Sequence, residues 1–572
     1  MPVHNRDIAD IFNKMADLLE IKAANPFRVR AYRDAARIFG GMAKSASDMI
    51  AEGADLTEIP GIGDDLAEKI REIVETGSLA QLTALEKELP SGIHDLMRIP
   101  GLGARRVQAL YEQLGIGDPA SLEEAARAGR VRQLDGFGAR LEANILEEVE
   151  KKRWSKARTP WHVAEAVARD LLAYLQADDS VKQAAAAGSF RRRKETVGDL
   201  DILVTCRRGS DIMDHFISYG DVEKVISRGK TRSSVRLRSG LQVDLRKLPQ
   251  VGYGAGLHYF TGAKAHNIAV RRLGQKKGLK INEYGVFKGD KRVAGRSEAS
   301  VYAEVGLPCI APELREDRGE IEAAQRGELP ELIRIEDIRG DLHVHTDATD
   351  GSSTLAEMAD GARARGWEYL AITDHSQHLA MARGLDARRL LASVEAIDRL
   401  NETLKDFRIL KSIEVDILKD GSLDLPDEVL KVLDLTVCAV HSAFGLSRDL
   451  QTERILRAMD NPFFGILAHP TGRLINEREP YDVDLERLIE AAAERGCFME
   501  LNAHPKRLDL TAPYCQAARE KGVKIAISTD AHSVDHLDDM RFGIHQARRG
   551  WLAPGDVLNT RGWGELKKLL KR

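Results

Sequence analysis

Cysteine is scarce in this chain: five residues in 572, at positions 206, 309, 438, 497 and 515, with no CxxC among them. Neither a disulfide framework nor a CxxC zinc site fits that count, and isolated thiols suit a reducing compartment. No run of 18 apolar residues occurs, so nothing reads as a membrane span. The opening MPVHNRDIADIFNKM lacks the apolar centre of a signal peptide. A cytoplasmic protein without a membrane partner is expected. Net charge is also small, at −4, but unevenly spread. Residues 151–300 carry 31 basic and 15 acidic side chains, whereas 1–150 carry 18 and 26, and 301–572 carry 36 and 48. A positive central block between acidic ends suggests that the middle of the chain faces a polyanion. The length predicts several domains.

Within the basic block, GSFRRRKETVGDLDILV (188–204) gathers four consecutive cationic residues just ahead of two aspartates. The tail reads as a strand, so Asp199 and Asp201 share one face and Leu200 and Ile202 the other. Paired carboxylates repel unless a cation sits between them, and Mg²⁺ accepts such ligands alongside water and phosphate. Gly188-Ser189 and the arginines suit a polyphosphate. In SSVRLRSGLQVDLRKL, two alternating runs flank Ser239-Gly240 and place Asp244 on the returning strand of a hairpin. Three acids on adjoining strands suit two-metal phosphoryl or nucleotidyl transfer.

An internal repeat precedes this block: IPGIGDDLAEKI (59–70), IPGLGARRVQAL (99–110) and LDGFGARLEANI (134–145). Each has two glycines one residue apart, followed by a helical pattern: Gly61 and Gly63, Gly101 and Gly103, Gly136 and Gly138. Such a turn at a helix N-terminus offers backbone N–H groups to phosphate and reads no base sequence. Backbone amides need no side-chain charge, which reconciles the acidic first block with a polyanion.

GSFRR, GDLDILV, VDLR, YFTG and INEYGVF together resemble the palm and thumb of the family X DNA polymerases, over about residues 160–315. The resemblance implies that Asp199, Asp201 and Asp244 hold two Mg²⁺ or Mn²⁺ ions, with Asp244 nearest the primer 3′-hydroxyl. It assigns Ser189, Arg192 and Gly198 to the triphosphate, Tyr259 and Phe260 to the sugar, and Gly262 to the nucleotide site. Asn267 and Arg271, four apart on one helix face, match positions at the incoming base and template. Lys276, Lys277 and Lys280 extend a basic stretch suited to DNA phosphates. Further upstream, NPFRVRAYRDAARIF resembles the family's lyase domain. Lys69 falls on the lyase lysine and Arg28 on a phosphate-binding lysine. Asp65, one turn before Lys69, replaces a basic residue and should raise the lysine's pKa and weaken phosphate binding.

After a Glu- and Arg-rich stretch (316–340), read as a helical linker, seven apolar runs recur: GDLHVH, YLAITDH, ILKSIEVD, LTVCAVHS, FGILAHP, CFMELNAH and KIAISTDAH. Metal-capable residues cluster at their carboxyl ends, as in a β/α barrel. They are His343, His345, Asp350, His375, Glu414, His441, His469, Asp530 and His532. Mixed imidazole and carboxylate donors suit Mn²⁺ or Zn²⁺, and nine exceed the needs of two ions, so about three are expected. DLHVHTDATDG, TDH, AVHS, LAHP and STDAH resemble the polymerase and histidinol phosphatase (PHP) domain fused to bacterial family X polymerases. That resemblance implies a (β/α)7 barrel acting as a 3′–5′ exonuclease. Asp374 is placed to orient His375, Arg507 to hold phosphate, and His504 matches no family ligand.

The expected fold class is multidomain, α+β and α/β. Residues 1–90 form a helical lyase-like domain with the first hairpin, and 91–158 a fingers-like domain with the others. A nucleotidyltransferase palm (159–255), thumb (256–315), linker (316–340) and PHP metallohydrolase (341–572) follow. The expected function is gap-filling DNA synthesis in repair with 3′-end trimming, on gapped or nicked DNA with dNTPs, by a monomer. AP-site cleavage stays open. Rival readings are a DNA-end-binding scaffold with an inert palm, a nucleotidyltransferase acting on RNA or small molecules, and a small-molecule phosphatase or purely structural barrel.

Overall fold

The computed structural model describes residues 3, 5–22, 24–42, 45–90, 93–97, 99, 102–139, 141–143, 145–146 and 158–570. They form two compact units, Met1–Ala157 and Arg158–Arg572. Among the described residues no helix is long and apolar enough to cross a membrane.

The first unit is helical. Asp64–Thr76 shows why: Leu66, Ala67, Ile70 and Ile73 recur at helical spacing and are buried, and Gly77 ends the helix in the left-handed region. The three glycine hairpins share one hydrogen-bond pattern. The residue between the glycines donates its N–H three residues back: Ile62 to Ile59 (2.9 Å), Leu102 to Ile99 (2.9 Å) and Phe137 to Leu134 (3.1 Å). The carbonyl of the second glycine then accepts the first helical bonds, from Leu66 and Ala67, Arg106 and Val107, and Leu141 and Glu142. The third copy lacks the proline yet makes the same bonds, because Phe137 is buried as Ile62 and Leu102 are.

The second unit begins with the two-residue pair β1 (Thr159–Pro160) and β3 (Thr196–Val197). Beside it lies a five-stranded sheet: β2 (Val181–Ala186), β4 (Asp199–Cys206), β5 (Val222–Arg228), β6 (Arg232–Leu237) and β7 (Gln242–Lys247). Its order is β2-β4-β7-β6-β5, with β4 and β7 parallel and the other neighbours antiparallel. Leu200, Ile202 and Val204 turn into a core shared with the helix Trp161–Gln176. Next come helices Tyr253–Thr261, Lys264–Lys276 and Glu298–Val305 and a small antiparallel sheet of β8 (Lys280–Asn282), β9 (Gly285–Lys288) and β10 (Lys291–Ala294).

The stretch 316–340 is not the helical linker its composition suggests. Only Glu320–Arg326 and the single turn Ile335–Asp337 are helical, the former bounded by Gly319 and Gly327, both at positive φ. Ile321, Ala323, Ala324 and Leu332 pack into the core of the preceding helices. Glu320 is fully buried against His266 (2.6 Å).

The remaining strands are parallel: β11 (Gly340–Val344), β12 (Tyr369–Ile372), β13 (Arg408–Lys411), β14 (Glu414–Asp416), β15 (Val437–Ala439), β16 (Ile466–Leu467), β17 (Phe498–Asn502) and β18 (Ile525–Ser528). β13 and β14 are two halves of one apolar run. The bridge His375↔Glu414 joins the first sheet to the second, and Val344↔Ala531 returns from the last strand to the first. Pairing thus closes into a ring of seven strand paths, with helices such as Ala387–Asn401 and Leu485–Arg495 between them. The barrel packs on the five-stranded sheet domain through its helix Met540–Arg549: Trp161 stacks on Phe190 and meets Phe542 and His545 edge-on.

Candidate functional sites

The first site lies where β4 and β7 run side by side. Register pairs Asp201 with Asp244 and Asp199 with Gln242, so the three carboxylates come together on one face. Burial, then the neighbouring Asp199 and Asp244 charges, push the Asp201 carboxyl up to about 6. Burial also opposes charge on Asp244, but hydrogen bonds from Ser234, Arg232 and Gln242 hold its carboxyl below the ordinary value. Arg232 donates to it at 2.6 Å and Gln242 at 3.1 Å. Converging acids, one of them raised by burial and by its neighbours' charge, fit a divalent cation.

Gly188 opens the one-turn helix Gly188–Arg191 at φ +61°, and a Cβ there would lie 2.7 Å from Asp201 Oδ2. Ser189 follows it in that turn, and Gly198 lies just before β4. Arg192 points away from solvent: its Nε donates to Glu316 (2.8 Å) and a terminal nitrogen to the Thr261 carbonyl (2.7 Å). Tyr259 and Phe260 meet edge to face at 5.0 Å, with the Arg246 guanidinium 4.4 Å from the Phe260 ring centre. Asn267 donates its amide to the carbonyls of Tyr259 (2.6 Å) and Gly262 (3.1 Å), closing the YFTG turn. A Cβ on Gly262 would strike Asn267 Oδ1 at 2.5 Å. Arg271 lies one turn on and donates to the Asn267 carbonyl.

The second site is the mouth of the barrel. Three overlapping groups of ligand atoms each lie within 4.8 Å: His345, Asp350, His375 and His532; His343, His345 and Asp530; His375, Glu414 and His441. His469 joins them through Glu414, at 2.9 Å. All nine sequence-derived positions therefore converge. His343 Nε2 lies 3.4 Å from Glu414 and 3.7 Å from Asp530, and His345 Nε2 3.2 Å from Asp530 and 3.6 Å from Glu414. Among the described residues neither nitrogen finds a hydrogen-bond partner, although both are buried. Burial disfavours charge on His375, yet Glu414 and Asp350 push its imidazole up to about 10. Burial likewise opposes charge on Glu414, but His375, His343 and His441 hold its carboxyl well below the usual range. Nitrogens and oxygens that crowd together without pairing suit a shell around cations.

Several participants escaped the sequence reading. Glu500 and Asp416 each approach a ligand histidine, Glu500 at 2.7 Å from His343 Nδ1 and Asp416 at 3.2 Å from His441 Nδ1. Only their place at strand ends could have drawn notice. Among the described residues Asp374 accepts no hydrogen bond from His375. It instead accepts from Thr346 and Thr349 and so ties the DATDG turn to β12. Arg507 lies 3.3 Å from Asp530, and His504 faces His536 at 6.2 Å.

In the first unit, a Cβ on Gly63, Gly103 or Gly138 would meet nothing within 4 Å, leaving the backbone open to an approaching anion. Gly61 and Gly136 adopt φ +99° and +80°, and Gly101 lies outside the described residues. Lys69 pairs with the Asp65 carboxylate and lies 5.9 Å from the Tyr32 ring centre. Arg28 is exposed.

Residues 158–248 match the DNA polymerase beta palm and 256–316 the DNA polymerase beta thumb. Residues 3–79 match a helix-hairpin-helix domain, 93–151 a SAM-like helix-hairpin-helix tandem, and 341–504 the PHP domain. Over the full length of both chains, the sequence is 38% identical to the DNA polymerase/3′–5′ exonuclease PolX of Bacillus subtilis (strain 168). It is 30% identical over 242 residues to a probable phosphatase of Thermoanaerobacter sp. (strain X514), covering 40% of this chain and 94% of that one. A probable phosphatase of Caldanaerobacter subterraneus subsp. tengcongensis is 31% identical over 203 residues, 34% of this chain and 75% of its own.

Proposed function

The chain belongs to the family of the DNA polymerase/3′–5′ exonuclease PolX, and from that membership we propose that it fills short gaps during DNA repair and trims 3′ ends in its barrel. It is a DNA-directed DNA polymerase with a metal-dependent exonuclease, acting on DNA. The gapped or nicked substrate, the use of dNTPs, a monomeric state and a cytoplasmic location belong to the proposal. The register of Asp201 against Asp244 carries it.

Asp199, Asp201 and Asp244 would hold two Mg²⁺ or Mn²⁺ ions, and the nine barrel residues about three Mn²⁺ or Zn²⁺. Such ions, when bound, neutralise charge growing on phosphoryl oxygens and acidify water. In the palm, Gly188 lets the backbone come close to Asp201, and Ser189 and Arg192 bind the triphosphate. Arg192 must first leave Glu316. Tyr259, Phe260 and Gly262 wall the sugar, while Asn267 keeps their turn closed and faces the base with Arg271. Gly198 lies by the far end of the triphosphate. The hairpin glycines grip backbone phosphates through N–H groups, which holds DNA without regard to sequence. At the barrel, Arg507 holds the phosphate to be cut. Lys69 is the candidate for Schiff-base lyase chemistry, with Asp65 working against it.

One gapped duplex carrying a labelled primer tests both sites, with Mg²⁺ and Mn²⁺ titrated separately. Asp199→Ala should end extension and leave trimming. His343→Ala and His345→Ala should do the reverse. Persistent trimming in both histidine variants would overturn the nuclease assignment.

A further inference from the structure

Six of the seven strand paths of the barrel deliver a ligand-type residue from the nine-residue set to its mouth. The exception is β17, whose run CFMELNAH contributes none of the nine. Yet β17 turns Glu500 and Asn502, both fully buried, to the same side of the strand, since they are two residues apart.

Both oxygens of Glu500 are taken by protein donors. One lies 2.7 Å from His343 Nδ1. The other accepts the backbone N–H of His469 at 2.6 Å and the Asn502 amide at 3.2 Å. The same amide reaches Asp530 Oδ2 at 3.1 Å. The Asn502 oxygen accepts the His504 N–H at 3.0 Å, which fixes the side chain with its nitrogen toward the acids. Each Glu500 oxygen thus already has a protein partner, and Glu500 belongs to none of the three groups of converging ligand atoms. It touches the ligand set at His343, at the His469 backbone and, through Asn502, at Asp530.

We infer that Glu500, backed by Asn502, is a positioning residue that fixes which nitrogen of His343 faces the barrel's cations and holds His469 and Asp530 in register with it. A hydrogen on Nδ1 pointed at Glu500 leaves the lone pair on Nε2, and Nε2 is the nitrogen that lies between Glu414 and Asp530. The barrel site would therefore depend on Glu500 and Asn502 in addition to the nine ligand-type residues. This inference rests on reading the nine residues as metal ligands.

The discriminating substitution is Glu500→Gln, which keeps the volume but leaves one acceptor oxygen for two tasks. If that oxygen stays on the His469 N–H, the new NH₂ group faces His343 Nδ1 and forces the hydrogen onto Nε2, the wrong nitrogen for a ligand. If it turns to His343, the His469 N–H loses its partner. Full-length wild type and variant, stripped by chelation, are titrated with Mn²⁺ alone, following bound ions by calorimetry and by metal content after dialysis. Barrel affinity should fall by about 10- to 100-fold, the usual cost of losing such an outer partner. Extension on gapped DNA with Mg²⁺, which belongs to the palm, should stay at the wild-type rate and serves as the check that the chain is folded. Asn502→Ala should show a smaller loss in the same direction. Wild-type Mn²⁺ affinity in Glu500→Gln with extension intact would overturn the inference. Should Glu500→Gln fail the extension check, Asn502→Ala decides alone, and unchanged Mn²⁺ affinity there sinks the proposal. A wild-type barrel that takes up no Mn²⁺ would instead overturn the ligand assignment itself.

Discussion

A methyl group added to Gly188 would meet the Asp201 carboxylate at 2.7 Å, in a backbone conformation that costs an L-residue about 1–2 kcal/mol. Gly188→Ala should therefore lower extension sharply by displacing Asp201, while the melting temperature falls only modestly. Primer extension beside a thermal melt checks both. Asp201→Asn keeps the volume but removes one of three converging charges. Its extension rate should drop at least about 10²–10³-fold, the scale on which one preorganised electrostatic contact is felt. Trimming by the same protein should be unchanged, and a joint loss would contradict two separate centres.

Among elements, the turn Gly188–Arg191 and the helix Glu298–Val305 are joined by charge. Arg191 grips Glu298 with two nitrogens, at 2.8 and 2.6 Å, and Arg315 pairs with the same carboxylate. Burial opposes the Glu298 charge, but Arg191 and Arg315 win and bring its carboxyl down to about 2. Partial burial opposes the Glu316 charge too, but Arg549, Arg192 and Lys194 lower it to about 2. Both pKa values are depressed on folding. Their stabilisation is complete above the ordinary glutamate value of 4.5 and disappears as pH falls toward 2. Melting temperature should decline across that window, and Glu298→Gln should flatten the decline. These two pairings also explain what the sequence could and could not disclose. The Asp199/Asp201 alternation and the histidines at strand ends follow a two-residue period, visible in any short window. Glu316 reaches Arg192 across 124 residues, and Glu500 reaches His343 across 157. No local pattern encodes partners so distant, and the Glu- and Arg-rich composition of 316–340 suggested a helical linker where the chain instead buries Glu320 and half-buries Glu316.

For the whole molecule, the barrel gathers buried carboxylates and imidazoles of the kind that hold cations. Chelation should lower the melting temperature of the full chain. Restoring Mn²⁺ to 100 times its dissociation constant should return about 2.7 kcal/mol of stability for each site filled. Scanning calorimetry with and without chelator measures it, and identical curves would mean that protein contacts alone balance the mouth. The same domain also supports the palm. Glu195, at the end of the basic run, accepts from Arg473 at 2.8 Å, and Arg473 Nε donates to the Arg507 carbonyl at 2.9 Å. Arg549 donates to the Arg192 carbonyl at 3.0 Å.

Glu316 already occupies Arg192, so under the proposed triphosphate role of that arginine an arriving nucleotide would trade places with a resident anion instead of meeting an idle cation. Its net affinity would then be a contest between two negative partners for one guanidinium. Glu316→Gln should tilt that contest, tightening dNTP binding several-fold in a direct titration, while a solitary inorganic phosphate would rarely win it.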